Sequence, residues 1–252
     1  MRALVLVAFA ACNFQHGISS SGDGTQPGDA HGNGDDAPTD DARLLDAPPV
    51  PVRFVQGTKS SGGGTEITAT FTSIATGGDL DVLGVSWAST NVAVSSVSDS
   101  DGNTYSAIGS PIVLADNGML ALYAASDVRQ GTSPDTITVR FASVVSPIVV
   151  AAEYSGLAEV NPIDVTAAGT SAGGTSASAG PAQTNHGHDL LVGIVASGSS
   201  VSAGVDFTPR VEATLDLIED REVETTGSYD ATAALSSPGG WTIALVAFIA
   251  AN

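Results

Sequence analysis

Three oxygen-bearing side chains stand at alternate positions in Val97-Ser98-Asp99-Ser100-Asp101-Gly102-Asn103-Thr104-Tyr105. Calcium takes several hard oxygen ligands, and its helix-loop-helix sites begin with carboxylates and amides at this spacing. Asp99, Asp101 and Asn103 are therefore candidate calcium ligands. The segment then departs from that pattern. Glycine follows Asp101 rather than Asn103, Ser110 stands where a bidentate acid belongs, and no helical periodicity flanks the loop. A tight turn accounts for the same residues, because Asp, Gly and Asn tolerate turn backbone. Calcium here requires a carboxylate from elsewhere in the chain, and it is the one candidate cofactor.

Other chemistry-bearing groups form weaker patterns. His186-Gly187-His188-Asp189 offers imidazole and carboxylate to a metal, but two histidines one residue apart, with His16 and His31 far upstream, lack zinc-site spacing. Gly169-Thr170-Ser171-Ala172-Gly173 has the G-x-S-x-G spacing of a nucleophile elbow, which needs a strand before and a helix after. A Ser/Gly-rich stretch follows instead, so no helix is expected. In Glu219-Asp220-Arg221-Glu222-Val223-Glu224, strand alternation puts Asp220, Glu222 and Glu224 on one face. Carboxylate pairs at fixed separation hydrolyse glycosides, whereas a solvated strand face requires no chemistry at all. Trp87 and Trp241 lie in apolar runs and read as core rather than as a sugar-stacking platform. No catalytic constellation emerges, and the chain is expected not to be an enzyme.

Cys12 is the only cysteine, so no Cys–His nucleophile is available. It follows Arg2 and the apolar run Ala3 to Ala11, and Phe9-Ala10-Ala11-Cys12 resembles a bacterial lipobox, which implies lipidation at Cys12. Residues 1–11 are then a lipoprotein signal, and 12–51 an acidic spacer rich in Gly, Asp, Ser and Pro. The expected location is the cell envelope, with the outer membrane or cell surface favoured over inner-membrane retention. The eight basic residues stand against 27 acidic ones, for a formal net charge of -19. That balance excludes the counterion release on which nucleic-acid binding depends.

The elements that must position these groups are strands. From residue 52 to 252, short apolar stretches recur between Gly, Ser, Asn, Asp and Pro, as in a sandwich or barrel. Ile137, Val139 and Phe141 alternate with Thr138 and Arg140, a half-buried strand. Runs such as Val82 to Trp87, Ile148 to Ala152 and Trp241 to Ala251 are apolar on both faces, so they read as strands covered on each side. Gly78-Asp79-Leu80 and the strand after it have a counterpart in His188-Asp189-Leu190 and its strand. Two pseudo-repeated halves, about 60–165 and 182–252, are joined by the Gly/Ser/Thr/Ala stretch 167–184. The expectation is one all-β domain: a two-sheet antiparallel sandwich of about ten strands with jelly-roll or Greek-key connections. In the repeat, Asp79 and Asp189 shape a strand start.

Asp99-Ser100-Asp101-Gly102-Asn103-Thr104-Tyr105, Ala152-Glu153-Tyr154-Ser155-Gly156 and Gly227-Ser228-Tyr229 together resemble an uncharacterised β-sandwich module of secreted bacterial proteins, over roughly residues 60–250. The resemblance implies extracellular location and β architecture and carries no activity. The functional expectation is a cell-surface lipoprotein displaying a non-catalytic binding or adhesion module, with polysaccharide or another surface component as partner. The alternatives are a self-associating envelope protein and, more remotely, a carboxylate-dependent glycoside hydrolase.

Overall fold

The computed structural model describes residues 50–251, so Cys12 and the expected spacer up to residue 49 lie outside the described residues. The described chain is antiparallel β throughout, and the sandwich class expected from sequence is the fold. Its strands number seventeen in four sheets, more than the ten in two sheets that the apolar runs suggest.

The first half consists of β1 (Arg53–Ser61), β2 (Gly64–Ile74), β3 (Leu80–Trp87), β4 (Val94–Ser98), β5 (Ser106–Ala107), β6 (Ile112–Val113), β7 (Met119–Ala125), β8 (Pro134–Val145) and β9 (Pro147–Ser155). The second consists of β10 (Ile163–Ser171), β11 (Ser176–Gln183), β12 (Asp189–Ser197), β13 (Val201–Ala203), β14 (Thr208–Glu212), β15 (Asp216–Val223), β16 (Ser228–Leu235) and β17 (Trp241–Ile249). The two halves share one topology apart from β6, which pairs with β7 and has no counterpart in the second half. Sheet order β1-β9-β3-β7-β5 in the first matches β10-β17-β12-β15-β14 in the second, and β2-β8-β4 matches β11-β16-β13. Even the irregularities correspond: a register shift between Phe54 and Gln56 in β1 recurs between Ile163 and Val165 in β10. Gly78 and His188, aligned by sequence, both adopt positive φ, at 91° and 63°.

The repeat boundary falls before β10, so the stretch 167–184 is not a join but the first two strands of the second half. Its side chains are too small to announce a buried face by hydropathy. Ala177 and Ala179 are nonetheless fully buried.

Each half is thus a sandwich of its own. Ile67, Phe71, Ile137, Val139 and Phe141 of the smaller first sheet meet Leu83, Val85 and Val149 of the larger. Ala177, Ala231 and Leu235 meet Leu191, Leu217 and Leu245 in the second half. The opposite faces of the two larger sheets meet each other: Leu80, Val82, Leu122 and Val150 against Leu190, Val192, Ile194, Val246 and Phe248. Four layers result, and the two central ones are covered on both sides. This is why β3, β9, β12 and β17 are apolar at nearly every position instead of alternating.

The seam between the central layers is keyed at its middle. A Cβ on Gly84 would stand 2.6 Å from Ile194 Cγ2 and 3.1 Å from Val150 Cγ2. Gly84 and Ile194 occupy the same position in the two repeats, counted from Asp79 and Asp189. One repeat supplies the projection and the other the gap. Ile194→Ala is expected to cost about 2–5 kcal/mol, the usual range for truncating a buried isoleucine. Urea unfolding followed by both near-ultraviolet and far-ultraviolet dichroism would show it as one transition moved to lower denaturant, because neither half keeps a covered central sheet without the other.

Candidate functional site

Where the first sandwich opens at the Leu80 end, polar groups replace the apolar core. Asp81 on β3, Glu153 on β9 and Gln56 on β1 are neighbours across the sheet and face the smaller sheet, and all three are buried. Their register equivalents in the second half are Leu191, Ala247 and Val165. The fold is therefore satisfied by aliphatic side chains at these positions, and buried acids there are an addition to it.

The smaller sheet contributes Asp135, on the inward face of β8 and 1% exposed, as is Asp81. The loop after β4 contributes Asp99. Asp81, Asp99 and Asp135 each bring a carboxylate oxygen to a common space, all within 4.8 Å of one another. The loop is tied in place by its own polar groups. Gly102 and Asn103 backbone N–H groups donate to Asp99 Oδ1 at 2.7 and 2.9 Å, and Asn103 Nδ2 donates to Asp99 Oδ2 at 2.7 Å. Ser100 donates to Asp135 Oδ1 through backbone and hydroxyl, at 3.0 and 2.6 Å. Tyr105 donates to Asp81 Oδ2 at 2.9 Å. Asp81 Oδ1 and Asp135 Oδ2 remain buried without a hydrogen-bond partner, and so does Asp101 Oδ2.

Among the described residues no lysine or arginine forms an ion pair with this cluster. Burial, followed by the Glu153 and Asp135 charges, pushes Asp81 well above the ordinary carboxylate range against the opposing Tyr105 hydrogen bond. Burial and Asp99 likewise raise Asp135, and burial with Glu153 raises Asp79 to about 7. Three converging carboxylates must either hold protons or share a cation. Their donor set, oxygen only, is that of calcium.

The three residues expected from sequence thus separate. Asp99 joins the convergence. Asn103 is spent on protein contacts, since its Oδ1 accepts from Arg129 N at 2.8 Å while its Nδ2 holds Asp99. Asp101 is directed at Gly131, where a Cβ would lie 2.7 Å from its Oδ2. Asp81 and Asp135 were not singled out from sequence. The signal that could have found Asp81 is the repeat, because Asp81 stands where the second half has Leu191.

The other sequence candidates are placed as follows. Ser171 ends β10 and donates to Gly173 O at 2.9 Å, and no helix follows it. The acids of β15 do not form one solvated face. Glu219 is buried and accepts from Gly204 N at 2.8 Å, Asp220 is buried against Arg210 at 2.7 Å, and only Glu222 and the following Glu224 are exposed. Asp189 opens β12, as expected of a residue at a strand start, and His186 reaches Asp164 at 3.0 Å.

A second feature lies at the far end of the seam. Ser86, Trp87, Asp116, Ile148, Asp216 and Trp241 line a pocket of about 170 Å³ between the two sandwiches. Ser86 donates to Asp216 Oδ2 at 2.6 Å across the seam. Burial raises Asp216 to about 7 against that bond, and burial raises Glu219 to about 7 as well. No known protein family, characterised protein or solved structure matches the chain.

Calcium chloride titrated calorimetrically into the EDTA-treated full chain is expected to show one site, abolished in Asp81→Asn and Asp135→Asn. The same substitutions should raise the thermal midpoint in EDTA, since each removes an unpaired buried carboxyl. Calcium at a hundredfold excess over Kd should stabilise the native chain by about 2.7 kcal/mol. A separate pH dependence follows from Asp216 and Glu219. In the native state they hold protons that the unfolded chain releases above about pH 4. Stability is then full below about pH 4 and falls as pH rises toward 7, by up to about 1.4 kcal/mol per pH unit for each group. Asp216→Asn and Glu219→Gln should each flatten the profile measured by urea titration in EDTA.

Proposed function

We propose that the chain is a non-catalytic binding module displayed at the bacterial envelope, anchored by lipid at Cys12 and presenting the seam pocket to polysaccharide. One observation carries this reading: the pocket and the start of the described chain lie at opposite ends of the strands. Val50, Pro51 and Val52 sit beside His188, Asp189 and Ala250, at the start of β12 and the end of β17. The pocket is formed by Ser197 and Trp241, at the end of β12 and the start of β17. Nine residues of strand separate the two, about 26 Å at the usual rise. A module tethered through residue 50 therefore holds its pocket on the side away from the attachment.

The pocket suits a sugar residue. Leu114 and Ile148 supply apolar wall, and Ser86, Asp116 and Asp216 supply hydrogen-bonding groups that fix orientation; Trp87 and Trp241 border the pocket but turn their indoles into the two sandwich cores. Five residues of β3 part Asp81 from Ser86 of the pocket, about 17 Å at the usual rise, which leaves those acids to a structural cation rather than to catalysis at the pocket. Calcium at Asp81, Asp99 and Asp135 would lock the loop 99–103 to both sheets of the first sandwich.

Full chain applied to an array of bacterial and plant oligosaccharides is expected to bind at least one class, with about tenfold weaker binding by Ile148→Ala and Asp216→Asn. Cys12→Ala should move the protein from the membrane to the soluble fraction on cell fractionation. An array without signal, or binding untouched by both pocket substitutions, overturns the ligand assignment. Unchanged membrane association of Cys12→Ala overturns the anchor.

A further inference from the structure

The second sandwich carries a different polar constellation at the same end. The repeat register shows where it departs from the first. Position 164 is the extra residue of the bulge shared by β1 and β10, between Ile163 and Val165; its counterpart in β1 is Val55, which is 40% exposed. In β10 the bulge instead carries an aspartate whose side chain is 2% exposed. Bulges re-aim a side chain in this way without disturbing the rest of the ladder.

Asp164 is held firmly. Its Oδ2 accepts from Asn185 N at 2.7 Å, and its Oδ1 accepts from Asn185 Nδ2 at 2.9 Å while lying 3.0 Å from His186 Nδ1. Asp189 completes the group, with ligand atoms of Asp164, His186 and Asp189 all within 4.8 Å of one another. Asp189 is 1% exposed, and neither of its carboxylate oxygens has a hydrogen-bond partner. A buried carboxyl with both oxygens unsatisfied, facing an imidazole and a second carboxylate, points to a ligand that those oxygens serve.

We propose that Asp164, His186 and Asp189 form a binding site for a divalent transition ion of the zinc class. Two carboxylates and one imidazole are a borderline-soft donor set, unlike the oxygen-only cluster of the first sandwich, and they select zinc over calcium. Ligand atoms around a tetrahedral zinc lie about 3.4 Å apart, so the triad closes by at most about 1.4 Å. His186 supplies that movement, since its side chain is 51% exposed on the loop before β12 and leaves a path for the ion to enter. The Asn185 contacts to Asp164 are the outer hydrogen bonds that orient a ligating carboxylate. His188 takes no part. Its positive φ places it at the turn into β12, where Gly78 stands in the first repeat.

Zinc titrated into the EDTA-treated full chain, with cobalt as the spectroscopic surrogate, tests the site. One equivalent of zinc should bind, and His186→Ala and Asp189→Asn should each weaken it by about tenfold or more. His186→Ala alters a half-exposed loop side chain and keeps the test valid if Asp189→Asn fails to fold. Cobalt should give visible ligand-field bands that His186→Ala removes. Asp99→Asn and the His16→Ala/His31→Ala double variant should retain full zinc affinity. Zinc bound equally by wild type and His186→Ala, or lost in the His16/His31 variant, overturns the assignment.

Discussion

The burial of two sheets on both of their faces is the constraint from which the rest of the molecule follows. A sheet of five or six strands, closed on one side by only a three-stranded partner, leaves its outer face apolar: Leu80, Val82, Leu122 and Val150 in one half, and Leu190, Val192, Ile194 and Val246 in the other. Water does not tolerate such a face over several strands, and each half removes the other's. The repeat therefore does not stack with further copies in these residues but closes on itself once. The pairing of Gly84 with Ile194 shows the cost of doing so with two similar surfaces. Equivalent residues meet near the middle of the seam, and two isoleucines would collide where one isoleucine and one glycine fit.

That arrangement frees the ends of the sandwiches for other uses. Interior positions near the middle of β3, β9, β12 and β17 are committed to packing, while those at the strand ends need only be compatible with it. The two repeats use the freedom differently. The first replaces three aliphatic core positions with Asp81, Glu153 and Gln56 and adds Asp135 from the facing sheet. The second keeps Leu191, Ala247 and Val165 and recruits a bulge residue, Asp164, with His186 from a loop. Because topology, register and bulge are shared, the comparison separates what the fold requires from what has been placed upon it, within one chain.

The strand pattern, the repeat and the doubly covered strands were legible in the sequence because large aliphatic side chains carry that signal over several positions. The strands at 163–171 and 176–183 were not, because alanine, glycine and threonine pack as well beneath a tryptophan as larger residues do elsewhere, and leave no hydropathy contrast. The same limit applies to the sites. Asp99 was legible from its turn, which is local. Asp81 and Asp135 belong to strands 54 residues apart whose relation is set by the sandwich, and a single aspartate inside an apolar strand gives no spacing to read. The acids of β15 misled for a related reason. Alternation predicts two faces but not that both are covered, so Glu219 and Asp220 are buried in opposite directions rather than one being solvated.

The distribution of buried acid along the strands gives the domain a polarity that its topology lacks. One end holds Asp79, Asp81, Asp135, Glu153 and Asp189 under cover, with the described chain beginning beside them; the other holds a single buried acid, Asp216, paired with Ser86 at the floor of a pocket. Charges buried without basic partners are costly unless a proton or a cation accompanies them. At the crowded end, burial and mutual repulsion favour whatever neutralises the carboxylates: protons at low pH and, as pH rises, a divalent ion, since a single ion offsets two charges at once. At the pocket end, one carboxyl hydrogen-bonded to a serine meets no such repulsion, and stays available to a neutral, hydroxyl-bearing ligand. The same residue type thus serves cohesion where it is clustered and recognition where it is alone, and the length of β12 keeps the two uses apart.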